Sequence, residues 1–372
     1  MSDSRMLAHA QHCEKKQTNE NAAWVKSNRR MSWCIRRRPR LILLIIFALW
    51  TACYHLNLLA RSPDAFAYPP DMNLFQIYDL VRTKDNSKLP PRMMPKFRAL
   101  LYDRGVCKES PLPKLLFLVK SVHRNFAQRE QIRRSWGNPM CAKSTGVISR
   151  TVFLLGQLKD KNASQEAIVL QRKLELEQTK YHDIVQFDFV DSYANNTYKI
   201  LSGMEFVCSE CPMARFVAIL DDDFLVHPIN LIKTINQVTE FQYPIYVAGG
   251  VISSAQPRRS PFSKWYVPYN AYPFHIYPDY PTGGTIIISM PMVKLLSTVM
   301  PYTAYLYIDD VLLGILLHKL GINPVHLDGI HFFAKPTYTT DQTFISAHGY
   351  NSPEQLRQGW SSLNLQSECE QS

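Results

Sequence analysis

Three consecutive carboxylates, Asp221, Asp222 and Asp223, follow the apolar run Phe216-Val217-Ala218-Ile219-Leu220. Adjacent carboxylates repel one another and raise one another's pKa unless a cation or hydrogen-bond donors compensate. Hard divalent ions such as Mn2+ and Mg2+ take carboxylate oxygens and often bridge them to phosphates. An acidic cluster at a strand end therefore suits a metal-bound diphosphate; it equally suits a solvated acidic turn. Asp309 and Asp310 open a second apolar segment that runs to Ile322. Acids in a first helical turn stabilise the helix dipole, and one of them could instead act as a general base. Gly283 and Gly284 precede the run Thr285–Ile288, where the missing side chains permit close backbone approach to a ligand or simply a tight turn. Arg129 and Arg133 have the planar donor geometry for phosphate and, as readily, for protein carboxylates.

Other residues carry weaker signals. Trp136 reads as core packing. His326 and His331 read as structural, with recruitment to a metal as the alternative. Tyr266, Tyr269, Tyr272, Tyr277 and Tyr280 cluster before Gly283, where aromatic faces can stack on sugar rings or pack for stability.

The elements that must position these residues alternate in type. Apolar runs at 115–119, 151–156, 183–189, 215–220, 245–252 and 284–289, with a last one near 325–328, read as strands. Segments 127–136, 163–180, 197–207, 228–238 and 309–320 read as helices. Strands alternating with helices predict an α/β sheet with ligands at the carboxyl ends of strands.

The formal charge of +11 invites a nucleic-acid reading. Its distribution argues against one. Residues 1–40 carry ten basic groups against three acids, leaving the rest of the chain nearly neutral. The basic tail ends at Leu41–Ala60, 20 residues without a formal charge, long enough as a helix to cross a bilayer. The cluster Arg36-Arg37-Arg38-Pro39-Arg40 just upstream places the N-terminus in the cytosol. A 40-residue basic region is unusual for a cleaved signal peptide. Eight prolines between 61 and 113, without sustained periodicity, predict an extended spacer, with a short helix near 71–81 packed on the main domain. A hydrophobic content of 46% excludes a mostly disordered chain.

Five cysteines lie beyond the anchor, Cys107, Cys141, Cys208, Cys211 and Cys369. They read as structural disulfides with at least one left over. Cys208-x-x-Cys211 has no second such pair to make a zinc site. Asn162 and Asn195 begin N-glycosylation sequons.

In order along the chain, 129–137, 151–156, 183–200, 216–226, 277–289 and 308–322 resemble the motifs of the β-1,3-glycosyltransferases of glycosyltransferase family 31. That family includes β-1,3-galactosyl- and N-acetylglucosaminyltransferases, and the resemblance covers about residues 114–333. It implies a GT-A-type nucleotide-diphospho-sugar transferase fold with a mixed, mostly parallel sheet. It implies Asp223 and Asp221 as ligands of Mn2+ (Mg2+ the alternative) and Asp221, Asp222, Arg129 and Arg133 at the donor. It implies Asp310 as catalytic base, and Tyr280, Gly283, Gly284 and Asp309 at the acceptor. The sequence departs from the family pattern at Asp309, where Glu is usual, and at Pro281-Thr282 and Thr285, near the region expected to select the sugars.

The expected layout is a cytoplasmic tail (1–40), a signal anchor (41–60), a stem (61–113), a lumenal catalytic domain (114–345) and a C-terminal extension (346–372). The expected protein is a single-pass type II Golgi membrane enzyme, partnered by a UDP-sugar and a glycan on lipid or protein, and not by nucleic acid. Its expected reaction moves galactose from UDP-galactose to the 3-hydroxyl of a terminal sugar with inversion. UDP-N-acetylglucosamine is the alternative donor, and a non-catalytic binding protein of this fold is the competing class.

Overall fold

The computed structural model describes residues 39–58, 66–108, 110–159, 164–333, 343–366 and 369, in two compact units, 1–63 and 64–372. In the first unit, helix α1 (Pro39–Leu58) coincides with the expected anchor. Leu43, Leu44, Ile45, Ile46, Phe47, Leu49 and Trp50 are all exposed on it. Side chains of the expected span are described only over 43–52. Among the described residues no helix is long and apolar enough to cross a membrane. The expected tail lies almost wholly outside the described residues.

The second unit is built on an eight-stranded mixed sheet. Its strands are β1 (Ala99–Leu101), β2 (Leu115–Lys120), β3 (Ser149–Gln157), β4 (Ile184–Val190), β5 (Phe216–Asp221), β7 (Val247–Ile252), β8 (Tyr280–Ser289) and β9 (Val325–His326), in the order β1-β4-β3-β2-β5-β8-β7-β9. β1 and β8 run against the other six. The central strands are covered on both faces, so they read as continuous apolar runs; every residue of β2 is buried. One face packs against α5 (Asn196–Glu210), α7 (Met290–Val299) and α8 (Asp309–Lys319). The other face carries Ile132 and Trp136, from and just beyond α3 (Phe126–Arg133), Leu174 of α4 (Gln165–Tyr181) and Ile232 of α6 (Pro228–Asn236).

Strand register brings the site residues together. Lys120 ends β2 beside Asp221, which ends β5, and Leu220 pairs with Thr285 of β8. The chain then turns into β6 (Phe224–Val226), which pairs with β11 (Ser346–His348), itself next to β10 (Ile330–His331). That small sheet sets His348 opposite Phe224.

Three expectations are corrected here. The spacer expected over 61–113 is largely folded, with Tyr68 and Met94 buried, while the short helix expected near 71–81 is present as α2 (Leu74–Thr83), which buries Leu74 and Ile77 and packs on α7. β1 also covers the open edge of β4, which would otherwise be left unpaired. Scattered apolar residues between prolines carry no period, but the domain supplies the surface that buries them. The catalytic domain likewise extends past 345, because β11 and α9 (Pro353–Ser362) bury Ala347, Leu356 and Trp360 in its core. The segment 284–289 is the end of a longer strand, and α7 follows it at once, with Pro291 in its first turn.

Cys107 pairs with Cys211 and Cys141 with Cys369, while Cys208 is a free thiol. The Cys208-x-x-Cys211 spacing thus joins neither a metal site nor a bond between the two.

Candidate active site

A cleft of about 1250 Å3 opens at the carboxyl ends of β2 and β5. Lys120 lies at its floor, buried, with Nζ 2.9 Å from Asp221 Oδ1 and 2.9 Å from Asp309 Oδ2. Burial alone would favour the neutral amine. The two carboxylates outweigh it and hold the ammonium above its ordinary range. Burial pushes the Asp221 carboxyl up to about 6, with Lys120 opposing the rise and Asp223 and Asp309 adding to it.

Asp222 turns away from Lys120. Its Oδ2 accepts from Ser121 Oγ at 2.6 Å and Asn125 Nδ2 at 2.9 Å, and its carbonyl accepts from Gln128 Nε2 at 2.7 Å. Burial raises its carboxyl, and the Ser121 and Asn125 donors oppose that rise. This donor set fixes the turn between β5 and β6. Asp223 presents Oδ2 to His348 Nε2 at 3.1 Å, while its Oδ1 is buried without a hydrogen-bond partner. Such a carboxylate oxygen is a costly feature unless something else binds it.

Asp310 faces the same cleft from the first turn of α8. Its Oδ2 accepts from Gly283 N at 3.1 Å and its Oδ1 from Val311 N at 2.8 Å. Burial and the neighbouring Asp309 push its carboxyl up to about 7, against Lys120 and those two N–H groups. A half-buried carboxyl poised near neutrality, each oxygen already accepting one N–H, is suited to general-base work. The glycine pair beside it has a steric cause: a Cβ on Gly284 would lie 1.9 Å from the Phe224 ring, and one on Gly283 would lie 3.3 Å from Lys120 Nζ. Tyr280 and Asp309 line this part of the cleft as well, so the residues expected at the acceptor are brought together with Asp310.

The family profile described as Galactosyltransferase matches residues 127–328, the stretch that holds all of these acids. The chain belongs to the galactosyltransferase family. It is similar to the lactosylceramide 1,3-N-acetyl-β-D-glucosaminyltransferase of Xenopus tropicalis, 32% identical over 293 residues covering 75% of each chain. Its human counterpart is 35% identical over 62% of this chain and 60% of that one. The β-1,3-galactosyltransferase 1 of Mus musculus is 32% identical over 76% of this chain and 83% of that one. This chain is therefore a glycosyltransferase, and its acidic cleft is the candidate active site.

Two residues expected at the donor stand elsewhere in this galactosyltransferase-family domain. Arg129 is fully buried, with Nη2 2.6 Å from Glu177 Oε2 and Nη1 donating to the Val122 carbonyl and Ser121 Oγ. Arg133 pairs with Asp183 and Glu177 and lies over the Tyr181 and Phe153 rings. Neither lines the cleft. Helix α3 turns both arginines inward, and the Arg129 guanidinium meets Ser121, one of the residues that bond Asp222. Breaking a buried pair from one side leaves an uncompensated charge and costs about 3–5 kcal/mol. Arg129→Ala is thus expected to lower the melting temperature sharply, with the donor KM unchanged below the transition, read by calorimetry and initial rates.

The remaining expectations sort by placement. Trp136 packs edge-on against Phe117 in the core. His326 receives the Val251 N–H and His331 stacks on Phe344; neither lines the cleft. Tyr272, Tyr277 and Tyr280 are buried against one another rather than set out as a platform. Asn162 lies outside the described residues. Asn195 donates its side-chain N–H to the Val190 carbonyl, and Thr197 of the same sequon is buried on the Leu306 carbonyl. That sequon is folded against the domain. The sequence reading missed Lys120 and His348. A lysine closing an otherwise apolar strand was a legible signal for the first; nothing local marks the second.

Proposed function

We propose that the chain is an inverting β-1,3-hexosyltransferase of GT-A type that uses UDP-galactose, with UDP-N-acetylglucosamine as the sibling activity. The observation that carries this reading is the pairing, in one cleft, of the Asp221–Asp223 cluster with Asp310, a half-buried carboxyl pushed up to about 7. The relatives named for each of the two sugars support both donors. Galactose is preferred on the family description.

Asp310 takes the proton of the acceptor 3-hydroxyl, whose oxygen attacks the anomeric carbon as the diphosphate leaves. One displacement turns an α-linked donor into a β-linked product. Lys120 holds Asp221 and Asp309 in place, its Nζ 2.9 Å from each. Among the described residues no three His, Cys, Asp or Glu side chains are spaced to hold a metal alone. The partnerless Asp223 Oδ1 nevertheless would suit a hard cation. Asp223, with Asp221 and His348 beside it, would hold Mn2+ or Mg2+, which when bound supplies positive charge toward the leaving group.

The basic tail, the apolar exposed face of α1 and two disulfides support a Golgi-membrane, type II placement with the domain in the lumen. The acceptor is a glycan on lipid or protein. A screen of UDP-sugars against the detergent-solubilised full chain, with Mn2+ and defined sugar acceptors, tests the reading. UDP release with a β-1,3-linked product is expected from one of the two donors; no transfer from any UDP-sugar overturns it.

A further inference from the structure

Three large aromatic side chains lining the cleft are exposed, Phe333, Trp265 and Tyr193, and of these Trp265 and Tyr193 are bonded to each other. Trp265 is 50% exposed and Tyr193 is 41% exposed, and both line the cleft that holds Asp310. We propose that Trp265 and Tyr193 form the platform for the terminal sugar of the acceptor. The apolar face of the ring lies on the indole, and the Tyr193 hydroxyl bonds one of its hydroxyls. This rests on the transferase reading above.

The pair is built rather than incidental. Trp265 Nε1 donates to Tyr193 Oη at 3.0 Å, and Lys264 Nζ sits 4.1 Å from the Tyr193 ring centroid. The loop carrying Trp265 is tied down by Tyr307, whose hydroxyl donates to the Tyr266 carbonyl at 2.8 Å, with the Lys264 carbonyl 3.2 Å away. Tyr307 lies three residues before Asp310, so one short segment carries both the tether of the platform and the base. Because Tyr193 Oη accepts the indole proton, its own proton is left to donate. Burial, and after it the charge of Asp309, pushes that hydroxyl up to about 12, so it stays protonated. Tyr193 and Trp265 line the same cleft as Asp310, where the attacking hydroxyl must arrive. A rigid aromatic face flanked by a hydroxyl donor matches a pyranose, which has an apolar face and polar edges.

The test measures binding apart from turnover. The full chain in detergent, saturated with UDP and Mn2+, is titrated with lactose, N-acetyllactosamine and chitobiose and followed by saturation-transfer NMR and calorimetry. Trp265→Ala is expected to weaken sugar binding on the order of tenfold or more. It should raise the acceptor KM and leave UDP affinity and melting temperature unchanged. Trp265→Phe should restore part of the loss, and Tyr193→Phe should lose less than Trp265→Ala. Wild-type sugar affinity in Trp265→Ala overturns the proposal, as does an equal loss of UDP affinity. A wild-type chain that binds UDP but none of the sugars also overturns the platform and leaves the transferase reading standing. A chain that binds no UDP removes that reading itself.

Discussion

Asp310→Asn is expected to transfer sugar about 10²–10⁴-fold more slowly than the wild type, the range that a positioned general base supplies, with UDP affinity unchanged. The amide is nearly isosteric, and its oxygen can still accept the Gly283 or Val311 N–H that now holds the carboxylate. What it cannot do is take a proton. In the wild type the carboxyl titrates near 7 because burial and Asp309 oppose its ionisation. Activity should therefore rise with pH toward about 7 and level off above it, and the variant should lack that limb. Stability moves the other way. An aspartate is ordinarily ionised above about 4 in an unfolded chain. The folded state thus holds its proton more tightly between about 4 and 7, and Asp310 favours folding less as pH rises through that window. Above 7 the asparagine variant should be at least as stable as the wild type. A slow enzyme with an undiminished melting temperature separates lost chemistry from lost structure. A variant that transfers at the wild-type rate removes Asp310 from its role.

The acids were legible because their chemistry is local. Asp221–Asp223 end an apolar run, and a strand end in an α/β sheet is where ligands gather; the structure places Asp221 there, in register with Lys120. Gly283 and Gly284 were readable as a close approach, though the approaching group for Gly284 is the Phe224 ring, a protein neighbour. Arg129 and Arg133 misled because a guanidinium suits phosphate and buried carboxylate alike, and only the facing of α3 toward Glu177 decides between them. His348 was invisible: it lies 125 residues from Asp223, and the pairing of β6 with β11 alone brings them to 3.1 Å. The same long-range pairing drew the supposed extension into the core. Likewise, Tyr68 and Met94 fall in no apolar period, yet the domain core buries them; only the short helix that holds Leu74 and Ile77 was legible there.

The second large effect is expected at Asp223. This carboxylate does not serve the fold through Oδ1, which has no partner, and its Oδ2 touches only His348, itself partly exposed. Its backbone carbonyl, which receives the Tyr350 N–H at 2.9 Å, is kept in any substitution. Asp223→Ala therefore removes one charge and an orphaned oxygen at little cost in packing. A metal aimed at a leaving diphosphate is worth several kcal/mol, so losing its anchoring ligand is expected to slow transfer on the order of a thousandfold. The most direct test is the rate of sugar transfer by Asp223→Ala and wild type, each across a titration of Mn2+ at saturating UDP-sugar and acceptor. The account predicts a metal-dependent wild type, and a variant that stays slow or recovers only at far higher Mn2+. An Asp223→Ala chain that transfers at the wild-type rate with the wild-type metal dependence would contradict it.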